Sequence, residues 1–258
     1  MIQLNSKAAR ILYAVVAGVV IHFIWWNTDV ITDVLGIAGD TVLAQSVRAV
    51  LLTVAVWLLI AVVISPKKVF SFLGLNRNIL KGLGIALICV SPMFIILPIF
   101  GKLNSEITFY DIFRKCILAG FTEELVCRAF MFGLLFRYAK TGFFWAVIIP
   151  ALYFGSLHLY QGHDVVSSLA AFSVTFIGAL YFSWMYVEWN FNLWVPIGLH
   201  FLMNCTWMIF LLDGNNVAAG TLISNIARVI SILLAITLTV IYKRRENVKV
   251  FSYPVWQF

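Results

Sequence analysis

Eight apolar runs, at about 9–26, 49–65, 83–100, 116–136, 143–160, 165–187, 194–212 and 225–242, occupy most of this chain. Each approaches the ~20 residues that a helix needs to cross a bilayer, the fifth being short. In hydrocarbon every backbone N–H and C=O must be satisfied within the protein, which selects helices over isolated strands. The expected fold is therefore all-α: a polytopic membrane protein of about eight transmembrane helices, forming a single integral membrane domain over residues 1–258. Charged residues make up only 11% of the chain and its mean hydropathy is +0.98, whereas soluble domains carry roughly 25% charge. No length is left for a separate soluble catalytic domain. Any active site must be built from the membrane helices and their short loops, around an intramembrane polar cavity.

The loops predict an orientation. Segment 27–41 carries Asp29, Asp33 and Asp40 and no base, whereas 66–82 carries Lys67, Lys68, Arg77 and Lys81. Arg137 and Lys140 lie in the loop 137–142, and Lys243, Arg244, Arg245 and Lys249 in the tail. Placing both termini and the even-numbered loops in the cytoplasm satisfies the positive-inside rule. Lys102, Arg114 and Lys115 run against it, and the sixth loop, with Glu188 and no base, is neutral. Lys7 and Arg10 before the first run resemble a signal peptide, but Trp25-Trp26 follows with no small-residue cleavage site, so an uncleaved helix is expected. The net charge of +7 reads as this topology signal and not as a nucleic-acid surface. Trp25, Trp26, Trp145, Trp189 and Trp194 fall near segment ends, as interfacial anchors do. Cys89, Cys116, Cys127 and Cys205 have no paired spacing and read as small packing residues.

Within the fourth run stand three ionisable residues, Glu123, Glu124 and Arg128. Insertion scales put the cost near ~2.5–3.5 kcal/mol for each charged residue at a helix centre. Glu124 and Arg128, at i and i+4, share a helix face and can pair. Glu123 is rotated by about 100° from Glu124 and faces a different surface. One carboxylate can thus be held by arginine while the other stays reactive. The same three residues equally suit a structural clasp between helices.

Two histidines lie in later runs. His158 ends Phe154-Gly-Ser-Leu-His158, and His200 begins His200-Phe-Leu-Met-Asn204, so that Asn204 shares its helix face. His22 and His163 lack such company and read as interfacial or loop residues. Carboxylate, imidazole and amide together can activate a water and stabilise an oxyanion. They can also bind a metal, although the H-E-x-x-H zinc helix is absent, as is the G-x-S-x-G serine elbow.

Glu123-Glu124-x-x-x-Arg128, Phe154-x-x-x-His158 and His200-x-x-x-Asn204, in that order, resemble the three-motif signature of the CPBP family, the CAAX proteases and bacteriocin-processing membrane proteins. The resemblance spans about 80 residues and centres a motif-bearing core on about 112–212. It implies intramembrane hydrolysis of a peptide bond. Glu123 and His158 would activate the water, His200 and Asn204 would hold the oxyanion, and Glu124 and Arg128 would support the first carboxylate. Substrates would be membrane-associated peptides or prenylated protein tails. No cofactor is expected, and a divalent metal such as zinc, held by Glu123, His158 and His200, is the competing arrangement. Two other functions use the same residues: a non-enzymatic immunity or peptide-sequestration protein, and a proton-coupled carrier. The carrier lacks the inverted repeats it should show.

Straight, full-length spans would separate His158, near the outer end of its run, from His200, near the inner end of its own. A shared site therefore requires a fifth helix that is short or tilted and ends inside the membrane beside a water-filled cavity.

Overall fold

The computed structural model describes residues 2–212 and 220–256; Met1, 213–219 and 257–258, which the expected single domain also includes, lie outside the described residues. The architecture is an all-α membrane bundle. Its helices are α1 (Lys7–Trp26), α2 (Thr28–Val34), α3 (Val42–Val63), α4 (Val69–Leu73) and α5 (Ile79–Phe100), then α6 (109–138), α7 (Phe143–Ser156), α8 (Val165–Glu188), α9 (Trp194–Ile209) and α10 (Leu222–Arg245). A two-residue antiparallel pair, β1 (Lys102–Leu103) with β2 (Phe210–Leu211), ties the end of α5 to the end of α9.

Helix starts follow local chemistry. Ser6, Thr41, Asn78, Thr108, Asp164 and Thr221 each accept a backbone N–H from three residues on. Such caps satisfy amide donors that the first helical turn leaves unpaired. That backbone bond to Ser167 is the main cause holding the Asp164 carboxyl below the usual carboxylate range.

Six helical stretches are long and apolar enough to span a bilayer: Lys7–Val34, Val42–Val63, Ile79–Phe100, Phe143–Gln161, Val165–Glu188 and Leu222–Arg245. The two expected runs not among them are α6, interrupted by charge, and α9, of 16 residues. These are the helices that carry the glutamates and His200. Large apolar side chains such as Val19, Phe23, Leu87, Ile95 and Leu233 are exposed on the other helices, a surface suited to lipid.

Three features depart from the sequence reading. First, α6 begins at Phe109 and not near 116, placing Glu123 about two turns further along the helix. It also alternates α and π geometry, with π-helical stretches at Phe113–Leu118, Leu125–Phe132 and Leu134–Tyr138. Hydropathy cannot report a change of helical winding. Second, the expected acidic loop 27–41 contains α2. Third, Glu188 is not a loop residue. It is the last residue of α8, fully buried, with Lys243 Nζ 3.2 Å away and the Phe251 N–H and Tyr253 hydroxyl both donating to Oε1 at 3.0 Å. Burial, and then the neighbouring Glu188 charge, push the Tyr253 phenol up. Trp189 is likewise no lipid anchor: it stacks on Tyr242 at 4.3 Å and donates to Thr239. Trp26 and Trp145 remain exposed.

The bundle has two distinct ends. At one, Arg10 lies over Tyr138, the Ile2 N–H donates to the Val62 carbonyl, and Lys81 lies over Tyr242. The tail joins the same end, where the carbonyls of Pro254 and Val255 accept the N–H groups of Phe143 and Phe144, two unpaired donors at the start of α7. At the other end, Gln45 reaches Tyr110, Arg48 reaches Thr32, and Asn104 donates to the Met208 carbonyl.

Removing one member of the Glu188–Lys243 pair leaves the other buried without its counter-charge. Glu188→Ala is expected to lower stability by about 3–5 kcal/mol, and Glu188→Leu combined with Lys243→Met to recover most of that loss. Thermal or denaturant unfolding in detergent measures both.

Candidate active site

The site forms where α6 crosses α9. A Cβ built on Gly120 would lie 3.1 Å from the Phe201 backbone nitrogen, so a small residue permits this close approach, as is common between membrane helices. Gly120 is one turn before Glu123 and Glu124, and Phe201 follows His200. The crossing therefore delivers the imidazole to both carboxylates. On its other side α9 lies against α5, where a Cβ on Gly198 would be 2.7 Å from that of Ala86.

Glu124 is the hub. It is fully buried, with Oε2 3.1 Å from Arg128 Nε and Oε1 2.8 Å from His200 Nδ1. The spacing of Glu124 and Arg128 suggested their pairing; His200 as a second partner of Glu124 was not expected. The Arg128 guanidinium, equally buried, is 4.5 Å from the Phe154 ring centre and 5.4 Å from that of Phe182. Its terminal nitrogens have no hydrogen-bond acceptor among the described residues. Cation–π attraction is the compensation that this geometry offers. The π-helical stretch opens at the residue after Glu124 and contains Arg128; such irregular winding is often associated with functional sites.

An ionised carboxylate only accepts, so His200 Nδ1 carries a proton and donates it to Glu124. The opposite edge of the ring then faces Glu123, with Nε2 3.7 Å from Oε2. That separation is too long for a direct hydrogen bond. The Glu123 side chain is 22% exposed, against 0% for Glu124 and 11% for His200. Of the two carboxylates, Glu123 is therefore the more exposed, although its Oε2, the oxygen facing His200, is itself buried and without a hydrogen-bond partner among the described residues.

His158 lies just beyond the end of α7. That helix has 14 residues and gives way around His158 to a 3-10 turn, Leu159–Gln161, the whole being a 19-residue stretch of spanning length. His158 Nδ1 is 2.8 Å from the Phe154 carbonyl. A carbonyl also only accepts, which leaves His158 Nε2 as the acceptor nitrogen. The Phe154 ring lies 4.6 Å from the His158 ring and 6.4 Å from the His200 ring. Asn204 donates one amide N–H to the Lys115 carbonyl at 2.8 Å. Glu123, Arg128, His158, His200 and Asn204 all line one cavity of about 1480 Å³.

Sequence reasoning gave no role to Phe154 or Phe182, although Phe154 opens the second motif and its fixed spacing from His158 was the available signal. It also set His22 aside, whereas His22 Nδ1 is 3.0 Å from the Tyr153 hydroxyl across α1 and α7. The four cysteines are buried and unpaired in disulfides.

Residues 105–206 match the Rce1-like family of type II CAAX prenyl endopeptidases. All six candidate residues lie inside that stretch, which is less than half of the chain. A relative from Bacillus subtilis (strain 168), named "Putative membrane peptidase YdiL", is 31% identical over 97 residues, covering 38% of this chain and 35% of the relative. The match thus spans about a third of that curated relative. No solved structure matches the chain.

No group of three or more His, Cys, Asp or Glu side chains among the described residues is arranged to hold a metal ion.

The two glutamates should respond differently to substitution. Arg128→Ala, which leaves the Glu124 charge buried and unpaired by arginine, is expected to cost about 3–5 kcal/mol. Glu123→Gln, which removes the charge of a partly exposed carboxylate while keeping its shape, is expected to cost less, within about 1–2 kcal/mol. Unfolding midpoints of the two purified variants provide the comparison.

Proposed function

We propose that this protein is a metal-independent intramembrane endopeptidase, hydrolysing a peptide bond in a membrane-associated peptide or protein tail. The observation that carries this reading is the orientation of His200. Its Nδ1 is fixed on buried Glu124 while its Nε2 faces the unpartnered Oε2 of the partly exposed Glu123 across 3.7 Å. A fixed imidazole beside an accessible carboxylate is the equipment of general acid–base hydrolysis. The matched family stretch and the name of the Bacillus relative support the same reaction class.

In this mechanism Glu123 takes a proton from a cavity water, helped by the acceptor nitrogen of His158, and the water oxygen attacks the peptide carbonyl. The tetrahedral oxyanion is held by the second amide N–H of Asn204 and by His200 when protonated on Nε2. Glu124 and Arg128 position His200 and, through it, face Glu123. Collapse of the intermediate returns the proton from Glu123 to the leaving amine. The cavity volume supports an extended peptide segment as substrate, since pockets for small molecules are commonly ~300–1,000 Å³.

Cleavage of membrane-associated peptides by purified protein in detergent, with and without a chelator, tests the proposal. Glu123→Ala is expected to lower kcat by about 10²–10⁴ and Asn204→Ala by about 10²–10³, with wild-type rates unchanged by chelation. Rates restored only by added metal would contradict the metal-independent mechanism. Tight peptide binding without hydrolysis would replace it with the immunity or sequestration function.

A further inference from the structure

The cavity occupies one end of the bundle. Its wall takes Asp29 from 27–41, Glu106 from the α5–α6 connection, His163 from the α7–α8 connection, and Leu212 and Gly220 from either side of 213–219. From there it extends inward to Glu123, Arg128 and His200. None of the described residues of 64–82, 137–142, 189–193 or the tail lines it. These are the segments gathered at the opposite end of the bundle.

The two ends differ in Lys and Arg, the residues whose distribution sets membrane orientation. The end remote from the cavity gathers most of the chain's 18 Lys and Arg, spread over the N-terminus, 66–82, 137–142 and the tail. At the cavity end the bases are Lys102 in the α5–α6 connection, Arg114 and Lys115 about two turns into α6, and Arg48 and Arg228 about two turns into α3 and α10, where they line the cavity. Lys115 is paired with Asp111 at 2.8 Å. The N-terminus, 66–82, 137–142 and the tail together carry twelve Lys and Arg, against five at the cavity end, and the connection 189–193 carries none.

We propose that the catalytic cavity opens to the extracytoplasmic face, so that its substrate is a peptide segment presented at the outer leaflet and not a prenylated tail arriving from the cytosol. The substrate class named here rests on the peptidase function proposed above; the direction of opening does not. A cytosolic tail approaches the basic end, where packed contacts close the bundle: the Phe143 and Phe144 N–H groups bonded to the tail, Trp189 stacked on Tyr242, and Glu188 paired with Lys243. A peptide anchored in or secreted across the outer leaflet meets the open end directly, with Glu123 as the reactive carboxylate along its path.

Single exposed cysteines report the two ends. Glu106→Cys and, as a second variant of the same end, His163→Cys mark the cavity mouth; Lys249→Cys marks the basic end; the wild type, with its four buried cysteines, supplies the background. With a membrane-impermeant maleimide on intact cells, the two mouth variants are expected to label, and Lys249→Cys only after permeabilisation. The reverse pattern would overturn the proposal. The purified protein in sealed vesicles sorted by orientation then receives peptide from outside. Cleavage confined to vesicles with the mouth outward supports the substrate class, and cleavage confined to the opposite orientation overturns it. If the expected labelling is found but no peptide is cleaved even in detergent, the peptidase function and the substrate class fall together while the direction of opening stands.

Discussion

A carboxylate without solvent exposure inside a membrane bundle is stable only where cations and hydrogen-bond donors meet it, because desolvation otherwise drives it to neutrality. In this chain Arg128 and His200 meet Glu124 from two different helices. The arrangement constrains much else. It requires α6 and α9 to approach closely, which Gly120 permits. It requires cover for a guanidinium that has too few acceptors, and the Phe154 and Phe182 rings provide it. It also fixes which edge of His200 is left for chemistry. The glutamate of the stabilising ion pair and the reactive carboxylate are adjacent residues in different environments, one sealed and one partly exposed.

Function depends on this asymmetry. Were both glutamates sealed, neither could exchange a proton with water; were both exposed, nothing would hold the imidazole. The break between α7 and the 3-10 turn Leu159–Gln161 serves the same end, since His158 stands at that break and joins the wall of the cavity that His200 also lines. The lipid-facing helices provide the shell, while α6 and α9, the two helices least like ordinary spans, carry five of the six candidate site residues.

Much of this was legible in the sequence. The apolar runs gave the helical membrane architecture because bilayer thickness and backbone satisfaction leave few alternatives. The i,i+4 spacing gave the Glu124–Arg128 pair, and the three motifs brought the six candidate residues into one neighbourhood. What was not legible depended on tertiary contacts. The partnership of Glu124 with His200 crosses 76 positions, and no local spacing encodes it. Glu188 looked like a loop residue because its partners, Lys243, Phe251 and Tyr253, lie far along the chain. The π-helical winding of α6 carries no hydropathy signal. The aromatic cover over Arg128 was hidden because Phe residues in an apolar helix are indistinguishable by composition from lipid-facing ones.

The central claim is that Glu123, which activates the water, and His200, which holds the oxyanion, act as one unit in the attack on the peptide carbonyl. The most direct measurement is a double-mutant cycle on peptide hydrolysis, comparing kcat for Glu123→Ala, His200→Ala and the combined variant. Groups acting as a unit are strongly non-additive, so the double variant is predicted to be no slower than the slower single variant. Multiplication of the two separate losses would show that the residues contribute independently and would contradict the account.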